Sequence, residues 1–189
     1  MAVSPARRLF TVDEYYRMAE AGVFGPEERV ELLDGEIIEL TPPGSRHAAC
    51  VNLLTNRLAA ALAGRAVVSV QNPARLDDLS EPQPDLCVLR MRSDWYREAH
   101  PRPDDVLLAI EVADTSLSYD MGRKAPKYAV ASIHELWVVD LNGGRINVFR
   151  APTKDRYATE IAVEPGDTIT PAAFPDVELD VAEILGWRA

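Results

Sequence analysis

The segment that decides the fold begins with Gln83-Pro84-Asp85-Leu86-Cys87-Val88-Leu89. A second apolar run follows it, Val106-Leu107-Leu108-Ala109-Ile110, and ends in Glu111-Val112-Ala113. Each run predicts a buried strand with one acid at its end. Burying a lone carboxylate is costly and two neighbouring carboxylates repel each other, so we expect a cation between Asp85 and Glu111. Mg²⁺ prefers oxygen ligands, and the pattern therefore predicts a metal site at these strand ends. The alternative is structural: Asp85 starts a strand after Pro84, and Glu111 forms a buried ion pair with Lys124.

Length and composition indicate a globular protein of one domain, residues 1–189. Hydrophobic residues make up 47% of the chain and charged residues 26%, which is ordinary for such a domain. The formal net charge of -10 argues against a protein that coats nucleic acid. It leaves open an enzyme that contacts DNA locally through a few basic residues and a metal ion.

Nothing in the sequence predicts a membrane or secreted protein. No apolar run approaches the roughly 20 residues that span a bilayer. The first ten residues contain two arginines but no apolar segment after them, so they do not form a signal peptide. Cys50 and Cys87 lie far apart in apolar surroundings, which is typical of buried thiols in a reducing compartment. We therefore expect a cytoplasmic location.

Two local signals organise the N-terminal part of the chain. Thr11-Val12-Asp13-Glu14 has the pattern of a capping box and predicts a helix to about residue 21. Asp34-Gly35 lies between two short apolar runs and predicts a hairpin in which Glu31 is opposite Ile38. An acid with apolar neighbours is unusual there, and both an edge-strand carboxylate that reaches solvent and an acid of the site remain open for Glu31.

A helix is predicted from about residue 46 to residue 63, with an apolar stripe at Val51, Leu54, Leu58 and Leu62. His47 shares the inward face near its start, either as a contact to a phosphate or as a core or capping histidine. Further along, the acids Asp77, Asp78 and Glu81 are expected in a solvated loop, since their spacing is not that of a calcium loop.

Arginines and aromatic residues alternate between the two key strands, over residues 90–105. Such a pattern can follow phosphates and stack bases. The alternative is a solvated loop whose aromatic side chains pack locally, and this is favoured because Asp94 and Glu98 dilute the positive charge. The residues concerned are Arg90, Arg92, Trp95, Tyr96, Arg97, His100 and Arg102.

The chain after Glu111 predicts a crossover helix that ends near Ser132. Pro126 is tolerated only in the first turn of a helix, so we expect the start between residues 122 and 124. Lys124 and Tyr128 are four residues apart and share a face. Further strands are predicted at 136–139, 145–149 and 157–163, with a short helix at 181–185. The predicted class is a mixed α/β (α+β) fold, a mixed central sheet flanked by helices with additional hairpins.

Several motifs resemble the Uma-two family of putative restriction endonucleases, within the PD-(D/E)xK nuclease superfamily. The matching segments cover nearly the whole chain in order: Glu31 to Ile37, Pro42-Pro43 with His47, Pro84-Asp85-Leu86, Glu111 to Ser116, Asp120 to Tyr128, and Ile133 to Asp140. The resemblance implies a restriction-endonuclease-like core and hydrolysis of DNA phosphodiesters with Mg²⁺, for which Mn²⁺ can substitute.

The resemblance also implies roles for individual residues. Asp85 and Glu111 would be the metal ligands, together with the backbone carbonyl of Val112. Glu31 would be an additional early acid that holds a metal ion or its water, and His47 and Tyr128 are candidate substrate contacts. The three acids are therefore expected to lie close together, and crowding should raise the pKa of at least one of them.

One position departs from the superfamily pattern, which has a lysine two residues after the second acid. This chain has Ala113 there. We expect Lys124 to supply the ammonium from the following helix, and Lys127 to lie nearer solvent. On this view Lys124→Ala abolishes cleavage and leaves the fold intact, while Lys127→Ala is milder.

Two functions follow from these patterns. The first is a Mg²⁺-dependent DNA endonuclease, with a homodimer expected by analogy with nucleases that cut both strands. The second is a catalytically impaired nuclease relative that acts as a nucleic-acid-binding or regulatory module. The three acids favour the enzyme, whereas Ala113 and the acidic surface favour the binding module.

Overall fold

A six-stranded mixed sheet forms the centre of the molecule in the computed structural model, which describes residues 6–186. Its spatial order is β3-β4-β5-β6-β7-β8, and only the β5–β6 pair is parallel. The six strands are β3 (Ala66–Val70), β4 (Leu86–Arg90), β5 (Val106–Ala113), β6 (Glu135–Asp140), β7 (Arg145–Pro152) and β8 (Tyr157–Val163). The mixed α/β class predicted from the sequence is confirmed.

The apolar runs 86–89 and 106–110 are the adjacent antiparallel strands β4 and β5. Leu86 pairs with Ile110, and one further step of the same register brings Asp85 next to Glu111. Strand β5 is buried along most of its length because the sheet is covered on both faces. The two acids therefore meet at one end of the sheet.

A helical segment carries the chain from β5 across to β6. It consists of α3 (Leu117–Tyr119), a π-helical turn (Asp120–Lys124) and α4 (Ala125–Val130). The helix thus begins before the predicted start at residues 122–124. Ala125 donates to the carbonyl of Asp120 in the wider π pattern, and Pro126 then occupies the first turn of α4, where its missing N–H costs little.

Helix α2 (Ser45–Ala61) packs on one face of the sheet. Its predicted stripe is buried, and Leu54, Leu58 and Leu62 have no exposed surface. Cys50 and Cys87 are both buried free thiols, as predicted. Within residues 6–186, no helix combines the length and apolarity that a membrane crossing requires.

The N-terminal elements lie outside the six-stranded sheet. Helix α1 (Val12–Glu20) starts at the predicted capping box, and strands β1 (Val30–Leu33) and β2 (Glu36–Glu39) form the predicted hairpin. Asp34 and Gly35 both have positive φ, as a two-residue hairpin turn requires, and Glu31 pairs with Ile38.

The expectation of a solvated loop at residues 77–81 is wrong for Glu81. This residue pairs with Leu32 of β1 through the backbone, and its carboxylate is buried and accepts a hydrogen bond from Tyr16. Asp77 and Asp78 are exposed, as expected, although Asp77 also contacts Lys127. Glu81 is buried because it adds one more strand-like contact to the hairpin, which the local sequence does not indicate.

Four short elements complete the described fold. A 3₁₀ turn (Pro103–Asp105) leads into β5. The tail forms a two-stranded ladder of β9 (Thr168–Ile169) and β10 (Leu179–Asp180), followed by α5 (Val181–Ile184), which packs near α2. Phe174, Val177 and Leu179 are buried in the core on that face, as predicted.

Candidate active site

A buried ammonium lies between two buried carboxylates at the end of the sheet. Lys124 Nζ is 3.1 Å from Glu111 Oε1 and 3.3 Å from Glu31 Oε2. Glu111 comes from β5, Glu31 from β1 and Lys124 from the end of the π-helical turn. Lys124 therefore points into the acid cluster, the orientation that the sequence predicts.

Two tyrosine hydroxyls donate hydrogen bonds to these carboxylates. The Tyr128 hydroxyl donates to Glu111 Oε1 over 2.7 Å, and the Tyr119 hydroxyl donates to Glu31 Oε1 over 2.9 Å. The backbone N–H of Gln83 donates to Glu31 Oε2 over 2.8 Å. Buried charged groups need such partners, and these donors fix both carboxylates in place.

Asp85 is anchored by donors from three different elements. Val112 N–H donates to Oδ2 over 2.9 Å, His47 Nε2 lies 3.0 Å from the same oxygen, and Gln71 Nε2 donates to Oδ1 over 3.2 Å. His47 is on the first turn of α2, so this contact joins α2 to the strand ends. The carboxylate is therefore held in one orientation before any ligand is present.

A cleft of about 600 Å³ opens beside these residues. The hairpin and the segment after it form one wall, and the ends of β4 and β5 and the crossover helix form the other. The polar lining residues from the second wall and its surroundings are His47, Gln71, Gln83, Asp85, Glu111, Asp114, Thr115, Ser116, Tyr119, Asp120 and Lys124. Glu31 and Tyr128 lie behind this lining and do not face the cleft.

Glu111 keeps one oxygen for a ligand. Its Oε1 carries both the Tyr128 and the Lys124 contacts, whereas Oε2 has no hydrogen-bond partner among residues 6–186. Burial, helped by the charges of Asp120, Asp85 and Glu31, raises the pKa of Glu111 well above its usual value despite Lys124. This is the direction that crowding of the acids predicts for at least one of them.

The pKa values of Asp85 and Lys124 are also shifted, one down and one up. Burial opposes ionisation of Asp85, but His47, Val112 N–H and Gln71 together hold the pKa of Asp85 below its usual value. Burial also opposes the charge on Lys124, but Glu111, Glu31 and Asp120 outweigh it and raise the pKa of Lys124. The site thus combines a permanent cation with carboxyl groups of unequal acidity, which is typical of functional sites.

Asp120 is a cleft residue that the sequence patterns above do not assign to the site. Its side chain is 97% buried, lines the cleft, and accepts a hydrogen bond of 2.6 Å from Ser116. Burial raises its pKa, with Lys124 opposing the shift. The signal in the sequence is the spacing, because Asp120, Lys124 and Tyr128 recur every four residues and share a helical face.

Lys127 occupies a second cluster, closer to solvent than Lys124. Its Nζ lies 2.7 Å from both Asp34 Oδ1 and Asp77 Oδ2. The side chain is 13% exposed, compared with 5% for Lys124. This cluster fastens the hairpin turn to α4 and takes no part in the cleft.

The loop of arginines and aromatic residues begins at the opposite end of β4 from Asp85. Arg92 pairs with Asp94 and stacks over the Tyr96 ring, and the Tyr96 hydroxyl donates to the carbonyl of Arg90. Trp95 is 66% exposed. The interpretation as a solvated loop with local aromatic packing therefore holds for Tyr96, whereas the Trp95 ring is exposed.

Among residues 6–186, no group of three or more His, Cys, Asp or Glu side chains is arranged to hold a metal ion. Two carboxylates, Asp85 and Glu111, and the backbone of Val112 do converge at the cleft. Mg²⁺ is usually bound by one or two carboxylates plus waters and substrate phosphates. This donor set therefore suits Mg²⁺ but not an ion that needs an all-protein cage.

Comparisons with known proteins give a family and a fold. The family model Uma2, described as "Putative restriction endonuclease", matches residues 12–182. A crystal structure of a putative nuclease belonging to DUF820, from Anabaena variabilis ATCC 29413, is similar with a TM-score of 0.74 at 18% identity. That match covers 94% of this chain and 98% of the Anabaena chain, which shows the same fold.

A weaker likeness is to the type IIG restriction endonuclease BpuSI. It has a TM-score of 0.43 at 18% identity, and covers 78% of this chain and 17% of BpuSI. No curated protein matches this chain in sequence.

Proposed function

The chain belongs to the Uma2 family of putative restriction endonucleases, and on that premise we propose that it is a metal-dependent DNA endonuclease that hydrolyses phosphodiester bonds. The observation that carries the proposal is the position of Lys124. Its ammonium contacts Glu111 in a cleft that also contains Asp85. The helix thereby supplies the cation that Ala113 cannot provide on the strand.

The residues present fit the divalent ion that the family implies. Asp85 and Glu111 would hold it, together with the Val112 carbonyl, and Glu111 Oε2 is the oxygen that has no other partner among residues 6–186. Hard oxygen donors of this kind select Mg²⁺, with Mn²⁺ as a substitute. When bound, such an ion acidifies water and neutralises charge on a phosphate.

The chain's own groups perform the remaining tasks. Lys124 supplies a fixed positive charge for the phosphate oxygens, where charge develops during cleavage. Because Lys124 is 96% buried, its charge is screened less than that of a surface lysine. Asp85 is held in place by His47, Gln71 and Val112, so its orientation requires no rearrangement when substrate arrives.

The two candidate substrate contacts have different surroundings. His47 lines the cleft, and we propose that it contacts the substrate or the ion's water while it positions Asp85. Tyr128 is buried and donates to Glu111, so we assign it the support of that carboxylate instead of a substrate contact.

DNA is the proposed substrate although the net charge is -10. Contact would be local, because the acidic cleft repels phosphate until a divalent ion is bound. A double-strand cut needs two such sites, which favours a homodimer by analogy with other nucleases.

The alternative is a nuclease relative that binds nucleic acid without cutting it. Ala113 favours this function, because the usual strand lysine is missing. The two functions differ in one measurable outcome, which is whether the protein breaks phosphodiester bonds.

The test is a cleavage assay on supercoiled plasmid, single-stranded DNA and branched DNA, with Mg²⁺ or Mn²⁺ and with or without a chelator. We expect metal-dependent cleavage that Asp85→Ala abolishes. Asp78→Ala is the matched control, because Asp78 is an exposed aspartate outside the cleft. Binding to DNA without cleavage under all conditions would favour the alternative.

A further inference from the structure

Glu31 is the acid of the cluster that no ligand can reach. Its side chain is fully buried, and it does not line the cleft. Tyr119 donates to one oxygen, while Gln83 N–H and Lys124 contact the other. Because both oxygens are taken and shielded, Glu31 has no oxygen to offer to an ion in the cleft.

Asp120 has the opposite properties. It lines the cleft, and only Oδ2 is engaged, by Ser116. Its Oδ1 makes no hydrogen bond or ion pair with any residue of the described chain, 6–186. Asp120 is only 3% exposed, yet Oδ1 is not among the buried polar atoms that lack a partner, so this oxygen faces the cleft, where water or a ligand can reach it.

We infer that Glu31 works through Lys124 as a positioning residue, and that Asp120 takes the place of the third acid beside the divalent cation. This inference rests on the proposed function. The family pattern suggests that the early acid, Glu31, holds the metal ion or its water. The inference gives that task to Asp120 and leaves Asp85 and Glu111 as the ligands.

The reason for a dedicated partner is the burial of Lys124. The buried ammonium has Glu31 and Glu111 as its two carboxylate partners, at 3.3 and 3.1 Å. Glu111 would serve Lys124 through Oε1 and a cation through Oε2, whereas both oxygens of Glu31 are engaged within the protein. Glu31 is therefore the partner dedicated to holding Lys124 in place, and Tyr119 and Gln83 N–H keep Glu31 in place.

Asp120 acts on the cation through water. Its side chain is not part of a three-residue ligand group, since no such group exists within residues 6–186. An outer carboxylate still strengthens metal binding, because it accepts hydrogen bonds from bound water and adds negative charge nearby. This explains why the cleft contains an acid four residues before Lys124.

The first experiment measures Mn²⁺ affinity of the full chain by electron paramagnetic resonance and calorimetry, without DNA. We expect Asp85→Asn to remove most binding and Asp120→Asn to weaken it by about tenfold, the lower end for outer-shell partners. Glu31→Gln removes a carboxylate that lies behind the cleft, so it should lower the affinity less than Asp120→Asn does. An affinity lowered by Glu31→Gln and not by Asp120→Asn would overturn the inference.

The second experiment is a double-mutant cycle on cleavage. Glu31→Gln and Lys124→Met should each lower kcat, and the double variant should be no slower than Lys124→Met alone, because Glu31 acts only through Lys124. Independent, additive losses would show a direct role for Glu31. If Glu31→Gln does not fold, Tyr119→Phe replaces it in both experiments, since it removes one of the bonds that hold Glu31.

Failure of the proposed function gives a different pattern. If the wild-type protein binds no Mn²⁺, the metal-dependent nuclease and this inference are both wrong. If it binds Mn²⁺ and Asp85→Asn removes binding while Asp120→Asn does not change it, only the inference fails. If it binds Mn²⁺ but cuts no DNA, the Mn²⁺ affinities of the Asp120 and Glu31 variants alone decide whether the inference is right.

Discussion

Two lysines three residues apart each lie between two carboxylates, in different surroundings. Lys124 contacts Glu31 and Glu111 at 3.3 and 3.1 Å in the interior, whereas Lys127 contacts Asp34 and Asp77 at 2.7 Å nearer the surface. The surface cluster therefore has the shorter ion pairs. Its two carboxylates are about half exposed, at 51% and 43%, while those of the buried cluster are at most 3% exposed.

The comparison shows that the contribution of an ion pair to stability depends more on its burial than on the distance between its charges. Water and salt screen the surface cluster, so its contribution to stability is small. In the buried cluster each carboxylate depends on the ammonium, because removing one partner leaves an uncompensated charge. The same burial that makes the inner cluster fragile lets its ammonium act strongly on a phosphate.

The largest expected difference is in stability. Lys124→Met should lower the free energy of unfolding by about 3–5 kcal/mol near neutral pH, because Glu31 and Glu111 lose their counter-charge. Lys127→Met should cost at most about 1 kcal/mol. Urea unfolding of the two variants measures both values. This replaces the expectation from the sequence that a Lys124 variant keeps its fold unchanged, and equal losses would remove the distinction between the clusters.

The next difference is in cleavage. Lys124→Met should lower kcat by about 10²–10³-fold, the typical effect of losing one charge-stabilising donor. Lys127→Met should stay near the wild-type rate, because Lys127 does not line the cleft. Both rates are measured at a temperature where circular dichroism shows folded protein. A larger loss for Lys127→Met than for Lys124→Met would defeat the assignment of Lys124.

A smaller effect is expected from pH. The raised pKa of Glu111 means that the folded protein binds this proton more tightly than the unfolded chain, whose carboxyl titrates near 4.5. The Glu111 contribution to stability therefore grows as pH falls toward that value and is lost as pH rises through the folded pKa. When the pH is lowered from about 8 to about 5, the wild type should thus become more stable relative to Glu111→Gln.

Chemical unfolding at both pH values checks this sign. A wild type that loses stability relative to Glu111→Gln as pH falls would contradict the predicted direction.

The smallest expected effect is the response to salt. At about 1 M NaCl the screening length falls to about 3 Å, so the cost of Lys127→Met should shrink toward zero. The cost of Lys124→Met should persist, because salt does not enter the buried cluster. Unfolding curves of both variants at low and high salt provide the measurement, and a parallel decline in both would show that Lys124 is solvated.

Much of the local structure could be predicted because its causes are local. The capping box at Thr11 needs only residues 11–14, and the Asp34-Gly35 turn alone fixes the register that pairs Glu31 with Ile38. The start of the crossover helix could not be predicted from Pro126, because a π-helical turn accommodates the proline and lets helix form upstream of it.

The candidate site was only partly predictable for a different reason. The spacing of Lys124 and Tyr128 gives the inward face of a helix, and this is enough to predict that Lys124 points at Glu111. Whether an acid faces the cleft or lies behind it depends on packing between distant segments. Glu31 and Glu81 are buried because the hairpin and the loop at residues 77–81 pair with each other, and nothing in either segment indicates this.

The sequence by itself determined the strand ends, the turn chemistry and the order of motifs, because hydrophobic periodicity and backbone preferences act between near neighbours in the chain. Only the tertiary structure decided which carboxyl oxygens stay free. Tyr119, Gln83 and Lys124 come from two segments far from Glu31 and occupy its acceptors, whereas Glu111 Oε2 and Asp120 Oδ1 meet no partner within residues 6–186. The availability of an acid for chemistry is therefore a property of the folded contacts, since burial and competing donors exist only after the chain has folded.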